Sequence, residues 1–244
     1  MSEHILVLNA SPRADKGITE LILETFLSSC RKAGATTETI YLSKMDITPC
    51  AGELACFFRQ WKKCEVFPKD DGNLIAEKFR QADRVVLASP LHVYGVASHL
   101  TRTMERLVCL AGSNLAINDG VWTHPPPYKA NRPSAVIGVC AFPGAHNFVL
   151  FKETMLTMQK VFWLQPGGNV LVPMSRDLSV LGGADPRRAE HQRILDACAR
   201  AGVEFMKNDC ISRETEEEIS RPAGPIEELV KTFESYFVAM QGAS

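Results

Sequence analysis

Hydroxyl, glycine and arginine side chains gather in one short stretch, residues 11–20, which reads Ser-Pro-Arg-Ala-Asp-Lys-Gly-Ile-Thr-Glu. It follows an apolar run at 5–8 and leads into an amphipathic helix. A buried strand ending this way presents free backbone N–H groups and the positive end of a helix dipole to an anion. Ser11 and Thr19 add hydroxyl donors, and Arg13 adds a cation. The chemistry on offer is phosphate binding. No Gly-x-Gly-x-x-Gly follows Leu8 and no Gly-Lys-Ser/Thr closes the loop, so neither a dinucleotide fingerprint nor a triphosphate loop is present. A hydroxyl-rich loop suits a terminal monophosphate, whose oxygens all need donors. The alternative is that Ser11 and Thr19 only cap the helix.

Two more polar or aromatic loops follow predicted strands. Residues 84–88 form an apolar strand that runs into Ser89, Pro90, Leu91, His92, Val93, Tyr94 and Gly95, and the strand at 134–140 runs into Ala141, Phe142, Pro143 and Gly144. The carboxyl edge of an open parallel sheet is where such folds bind ligands.

The elements that must position these loops alternate along the chain. Leu23, Phe26, Leu27 and Cys30 recur at helical spacing after the first loop, and Gly34 is placed to end that helix. Strands are expected at 5–8, 36–42, 84–88, 134–140 and 170–172, and helices at 74–81, 97–110 and 146–162. The pattern predicts an α/β doubly wound sandwich with a five-stranded parallel sheet. Residues 43–72 form an irregular excursion carrying Cys50, Cys56 and Cys64, and the proline-rich stretch 119–133, with Trp122, His124 and Tyr128, reads as a surface flap. The core is expected over 1–175. Beyond it, 176–244 reads as a C-terminal helical extension, opening at Asp185-Pro186 with a capped helix and ending in a helix marked by Ile226, Leu229, Val230 and Phe233. It packs on the core or on a partner subunit.

A chain of 244 residues, 45% hydrophobic, can bury a large core. A net charge of −1 argues against nucleic acid or an anionic membrane surface as partner, because both call for a concentrated basic face. No apolar run approaches the roughly 18 residues of a spanning helix, and Met-Ser-Glu-His opens no secretory signal, so a cytoplasmic location is expected. The eight cysteines are accordingly read as mostly free thiols, with Cys30, Cys109, Cys140 and Cys198 as small core residues.

Taken together, Asn9-Ala10-Ser11-Pro12-Arg13 with Thr19, Ile47-Thr48-Pro49-Cys50, Lys69-Asp70-Asp71, and Ser89-Pro90-Leu91-His92-Val93-Tyr94-Gly95 with Glu105-Arg106 resemble the flavodoxin-like NAD(P)H-dependent FMN reductase and iron–sulfur flavoprotein families, over about residues 5–172. The resemblance implies FMN, with its phosphate on Ser11, Arg13, the Ile18 backbone N–H and Thr19. The ring would lie beside Pro90, Leu91, His92, Val93, Tyr94 and Gly95, with Phe142 and Gly144 on the third loop. Where relatives carry Asn before the matching Thr, this chain has Ile18. The iron–sulfur relatives carry four cysteines, whereas the series here is Cys50, Glu53, Cys56, Cys64. A cluster normally needs four thiolates, so a metal-free loop is expected. The activity implied is hydride transfer from NADH or NADPH through FMN to a small acceptor, such as a quinone, flavin, azo or nitro compound or metal ion. No residue is an obligatory acid or base for that, although His92 or Tyr94 could donate a proton. The resemblance also implies a homodimer or larger homo-oligomer. Two alternatives stand beside this reading: a non-catalytic electron carrier of flavodoxin type, and a flavin-free module for another phosphate. Carriers usually show a strongly acidic surface, and the near-neutral charge counts against one.

Overall fold

The apolar run at 5–8 becomes the centre of the sheet. The computed structural model describes residues 2–58, 63–175, 178 and 187–241, and places β1 (His4–Asn9) with five of its six residues buried. Successive strand side chains point to opposite faces, so Leu6 and Leu8 enter one core while Ile5 and Val7 enter the other. Such a strand must be covered on both sides.

The remaining strands are β2 (Thr36–Tyr41), β3 (Arg84–His92), β4 (Gly95–Val96), β5 (Ala116–Asn118), β6 (Val121–Thr123), β7 (Arg132–Val139) and β8 (Leu164–Val172). The main sheet runs β2-β1-β3-β7-β8 with every pair parallel, the flavodoxin-like order. Connections leave β1 in opposite directions toward β2 and β3, so the topological switch lies between β1 and β3. There the Ala10 N–H donates to the Ala88 carbonyl at 2.8 Å.

The helices are α1 (Ile18–Lys32), α2 (Ala55–Phe58), α3 (Gly72–Gln81), α4 (Ser98–Arg106), α5 (Val149–Val161), α6 (Arg188–Asn208), α7 (Arg213–Ser220) and α8 (Ile226–Gln241). Ile75, Phe79, Leu100, Met104, Phe151 and Met155 bring α3, α4 and α5 onto one face of the sheet. On the other face α1 and α6 lie together: an added Cβ at Gly202 would stand 2.3 Å from the Phe26 carbonyl oxygen, and the Phe26 and Phe205 rings are 5.6 Å apart. The C-terminal segment therefore supplies half of the covering layer on this face.

Several boundaries differ from the sequence expectation, each for a local reason. β3 continues to His92 instead of stopping at 88, because the chain doubles back antiparallel as β4, with Leu91 facing Val96 and His92 facing Gly95. β8 begins at Leu164 and not at 170. Pro166, Gly167 and Gly168 disguise it as a turn, yet the glycines are needed because an added Cβ at Gly167 would come within 2.5 Å of the Asp209 carbonyl. α4 ends at Arg106 and tightens into a 3-10 turn over Leu107–Leu110. The stretch 119–133, expected as a surface flap, supplies β6, which pairs with β5 just before it. The expected helix start at 185–186 lies outside the described residues.

Candidate functional site

The first loop has the features of an anion cradle. α1 begins at the N-cap Gly17, which has no side chain to cap its first turn, so the reading of Ser11 and Thr19 as side-chain caps is not what the geometry shows. Arg13 pairs with no carboxylate and the Thr19 hydroxyl bonds to nothing among the described residues. Ser11 is buried, and its Oγ accepts a long 3.3 Å bond from the Arg13 N–H. Space at the cradle is tight, since a Cβ at Gly17 would lie 2.8 Å from that Oγ. The donors that remain are what a phosphate requires.

Residues outside the expected set hold this loop in shape. Asn9 Oδ1 accepts from the Ser11 N–H at 2.9 Å while its Nδ2 donates to Glu20 Oε2 at 2.9 Å. The other Glu20 oxygen accepts from the Tyr41 hydroxyl, also at 2.9 Å. Burial, then the Glu20 bond, pushes Tyr41 up to about 12, so it stays a donor. The carboxylate in the first turn of α1 is thus engaged by two neutral donors. A polar side chain on the last residue of β1 was the available signal for Asn9, whereas Tyr41 is brought there only by the β1–β2 register.

The second and third loops meet on the same edge. Val93 (φ 48°) and Tyr94 (φ 60°) are the central residues of the tight β3–β4 turn. Ser89 anchors its base, donating to the Pro90 carbonyl at 2.9 Å and accepting from the Ala97 N–H at 3.0 Å. Pro90, Leu91 and Gly95 are half-buried, while His92 and Val93 are exposed. Tyr94 reaches across to the third loop, where its ring stacks on Phe142 at 6.3 Å and 13°, and Phe233 of α8 tilts against Phe142 at 6.0 Å. Gly144 (φ 93°) gives the third loop its bend, and the buried Asn147 amide donates to the carbonyls of Pro143 and Gly144 at 2.7 and 2.9 Å. The structure therefore gathers the residues expected at 90–95, 142 and 144 on one edge. It adds Asn147, which no sequence signal marked, and gives positions on this edge to Ser89, named only as the start of the second loop, and to Phe233, named only on the apolar face of the last helix.

Asp70 and Arg106, far apart in sequence, form a buried two-pronged ion pair. Arg106 also donates to the Thr48 carbonyl at 2.7 Å, so α4 is tied to the excursion. Burial disfavours the Asp70 carboxylate, yet the Arg106 guanidinium and the N–H groups of Thr48 and Gly72 outweigh it and hold the carboxyl below its ordinary value.

Among the described residues the cysteines are not gathered into a set of metal ligands. All eight are free thiols, and burial pushes Cys30, Cys109 and Cys198 up to about 12, which leaves them inert. Cys56 and Cys64 are buried, Cys50 is half-buried and Glu53 is exposed. Among the described residues no group of three His, Cys, Asp or Glu is placed to hold a metal ion. The donor set does not fit an iron–sulfur cluster, which requires four thiolates. No described helix is long and apolar enough to cross a membrane.

A parallel sheet in this order, with the loops after β1, β3 and β7 converging on its carboxyl edge at the switch point, defines a flavodoxin-like α/β protein. The chain belongs to the NADPH-dependent FMN reductase family, whose profile matches residues 4–147. It is 31% identical over 102 residues to an iron–sulfur flavoprotein of Methanocaldococcus jannaschii, covering 42% of this chain and 50% of that one. It is 29% identical over 114 residues to an iron–sulfur flavoprotein of Methanosarcina thermophila, covering 47% and 57%. The chain thus spans about half the length of the curated relatives it matches. In fold it is similar to an FMN-dependent NADH-azoreductase from Bacillus anthracis solved in complex with FMN, with a TM-score of 0.62 and 17% identity over 84% of this chain and 100% of that one. It is likewise similar to an NAD(P)H:quinone oxidoreductase from Methanothermobacter marburgensis, with a TM-score of 0.60 and 16% identity over 84% and 98%.

Proposed function

We propose that this chain is an FMN-dependent oxidoreductase that takes reducing equivalents from NADH or NADPH and delivers them to a small acceptor. The observation that carries the reading is the uncapped start of α1 beside an Arg13 and a Thr19 hydroxyl that the described residues leave without partners. Bound FMN would supply the redox chemistry, accepting hydride and releasing two electrons. Arg13, Ser11 and Thr19 hold its phosphate. The turn at 90–95 and the bend at 142–144 flank its ring, and both are fixed in advance by Ser89 and Asn147. His92 is exposed beside that slot, where it can pass a proton to or from water. Leu115, Ile117 and Trp122 on the β5–β6 hairpin and Ile226 and Val238 on α8 are exposed apolar side chains, which supports assembly as a homodimer.

Charge-assisted hydrogen bonds contribute about 1.5–3 kcal/mol each. Arg13→Ala or Thr19→Ala should therefore weaken FMN by about one to two decades and leave riboflavin nearly unchanged. Equal losses for both ligands would refute the cradle. Anaerobic mixing of the FMN-loaded protein with NADH and NADPH separates enzyme from carrier: prompt bleaching by one of them is expected, and bleaching by neither, with FMN bound, would leave the electron-carrier reading.

A further inference from the structure

A cavity of about 590 Å³ lies between α4, the end of α5, the flap and the excursion. None of its lining residues belongs to the cradle or to the loops at 89–97 and 140–148. Its walls are mainly apolar, with Leu54, Met104, Val108, Leu110, Met158 and Phe162 prominent among them, and its volume falls in the range of small-molecule sites.

The flap wall is fixed by polar ties. Asn118 Nδ2 and Thr123 Oγ1 each donate at 2.8 Å to carbonyls in the last turn of α5, those of Lys160 and Val161. Lys160 Nζ meets Asp119 Oδ2 at 2.7 Å, and the Gly112 N–H donates to Pro125 at 3.0 Å. These bonds satisfy helix-end carbonyls that would otherwise lack partners, so the cavity is preformed.

Three polar side chains on its lining have no partner among the described residues and are open to a ligand or to water: Thr101 and Tyr128 are half-buried and Glu105 is exposed at the rim. Thr101 and Glu105, one helical turn apart on α4, have no hydrogen bond or ion pair among the described residues, and the Tyr128 hydroxyl has none either. Tyr128 is nonetheless rigid, because its ring rests on the fully buried Arg132 guanidinium at 5.2 Å. Burial pushes its hydroxyl up to about 12, which keeps it a donor at neutral pH. A phenol donor on one wall and a carboxylate acceptor on the other are complementary to a ligand with a carbonyl at one end and a hydroxyl at the other.

We propose that this cavity is a second ligand site for a neutral, mainly apolar small molecule bearing a carbonyl and a hydroxyl at opposite ends, held by Tyr128 on the flap and by Thr101 and Glu105 on α4. The site is independent of the FMN reading, since the two share no residue.

The test uses 7-hydroxycoumarin, followed by fluorescence anisotropy against the full chain near pH 6.5 with and without saturating FMN. Saturable binding that FMN does not displace is expected. Tyr128→Phe should weaken it roughly five- to tenfold, the scale of one hydrogen bond, and Val108→Trp should abolish it by filling the cavity while FMN affinity stays constant. Should Val108→Trp fail to fold, Tyr128→Phe and Glu105→Ala carry the same decision, since each removes a polar contact without adding bulk. The proposal is overturned by absence of saturable binding, by displacement with FMN, or by binding indifferent to all three variants. It is equally overturned if probe binding falls as protein concentration rises, because a second copy of the chain would then be the occupant.

Discussion

Two tight hairpin turns in this molecule share a backbone geometry and differ in what imposes it. In the flap, Asp119 (φ 46°) and Gly120 (φ 82°) join β5 to β6; beside the cradle, Val93 (φ 48°) and Tyr94 (φ 60°) join β3 to β4. Both show the paired positive φ of a type I′ turn, for which Asp-Gly is a preferred sequence. A β-branched residue there is a true outlier, and each such residue costs of order 1–3 kcal/mol. The flap turn follows from its own sequence. The turn at 93–94 is held from outside, by Ser89 at its base, by Phe142 stacked on Tyr94 with Phe233 tilted against it, and by α4, which follows β4 and which Asp70 anchors through Arg106. Strain is kept where the loops after β3 and β7 converge, and the surrounding fold sustains it.

The comparison breaks most sharply at the anchor. Asp70→Ala leaves the Arg106 guanidinium buried without its partner, a change that typically costs about 3–5 kcal/mol. Urea unfolding should show that loss, and hydrogen exchange should show faster opening at 91–96 with the 116–123 hairpin unaffected. Uniform protection at both hairpins would mean that the turn at 93–94 does not depend on the anchor. The same pair predicts an acid limb. Because Asp70 titrates below its ordinary value in the folded chain, its contribution is complete above the unfolded carboxyl pKa of about 3.9. It is lost as pH falls through the lowered folded value, and Asp70→Asn should flatten that limb.

A smaller loss is expected at the flap turn. A Cβ on Gly120 would meet nothing within 4 Å, so Gly120→Val should cost only the left-handed backbone penalty of about 1–2 kcal/mol. The opposite sign is expected at the other turn. Val93 is 100% exposed and has no packing to lose, so Val93→Asn should stabilise by about 1 kcal/mol. Tyr94→Asn gains the same relief but forfeits a ring stack of about 0.5–1.5 kcal/mol, for a net change near zero. A destabilising Val93→Asn would show that the turn carries no strain.

Much of the fold was legible because it is written in local periodicity. The apolar run at 5–8, the helical spacing of Leu23, Phe26, Leu27 and Cys30, and the hydroxyls and Arg13 after β1 each act within a few residues of one another, and they place the parallel sheet and its first loop. Asp119-Gly120 is a hairpin-turn pair, but the prolines after it make the whole stretch read only as a surface flap. β8 is expected only from 170 because its first half carries glycines that local pattern reads as a turn, whereas Gly167 answers a carbonyl arriving from residue 209 and Gly168 the side chain of Ile211.

What only the tertiary structure decided are relations between distant segments. Local sequence cannot announce that Asp70 will meet Arg106, that Tyr41 will share Glu20 with Asn9, or that α8 will bring Phe233 to Phe142. Nor can it show that a positive φ will settle on Val93 and Tyr94, because isolated Val and Tyr disfavour that conformation. Propensity is a property of neighbours in the chain. The strained turn and the cavity under the flap exist because packing of remote elements, summed over many contacts, outweighs the one or two kcal/mol that local preference can set against it.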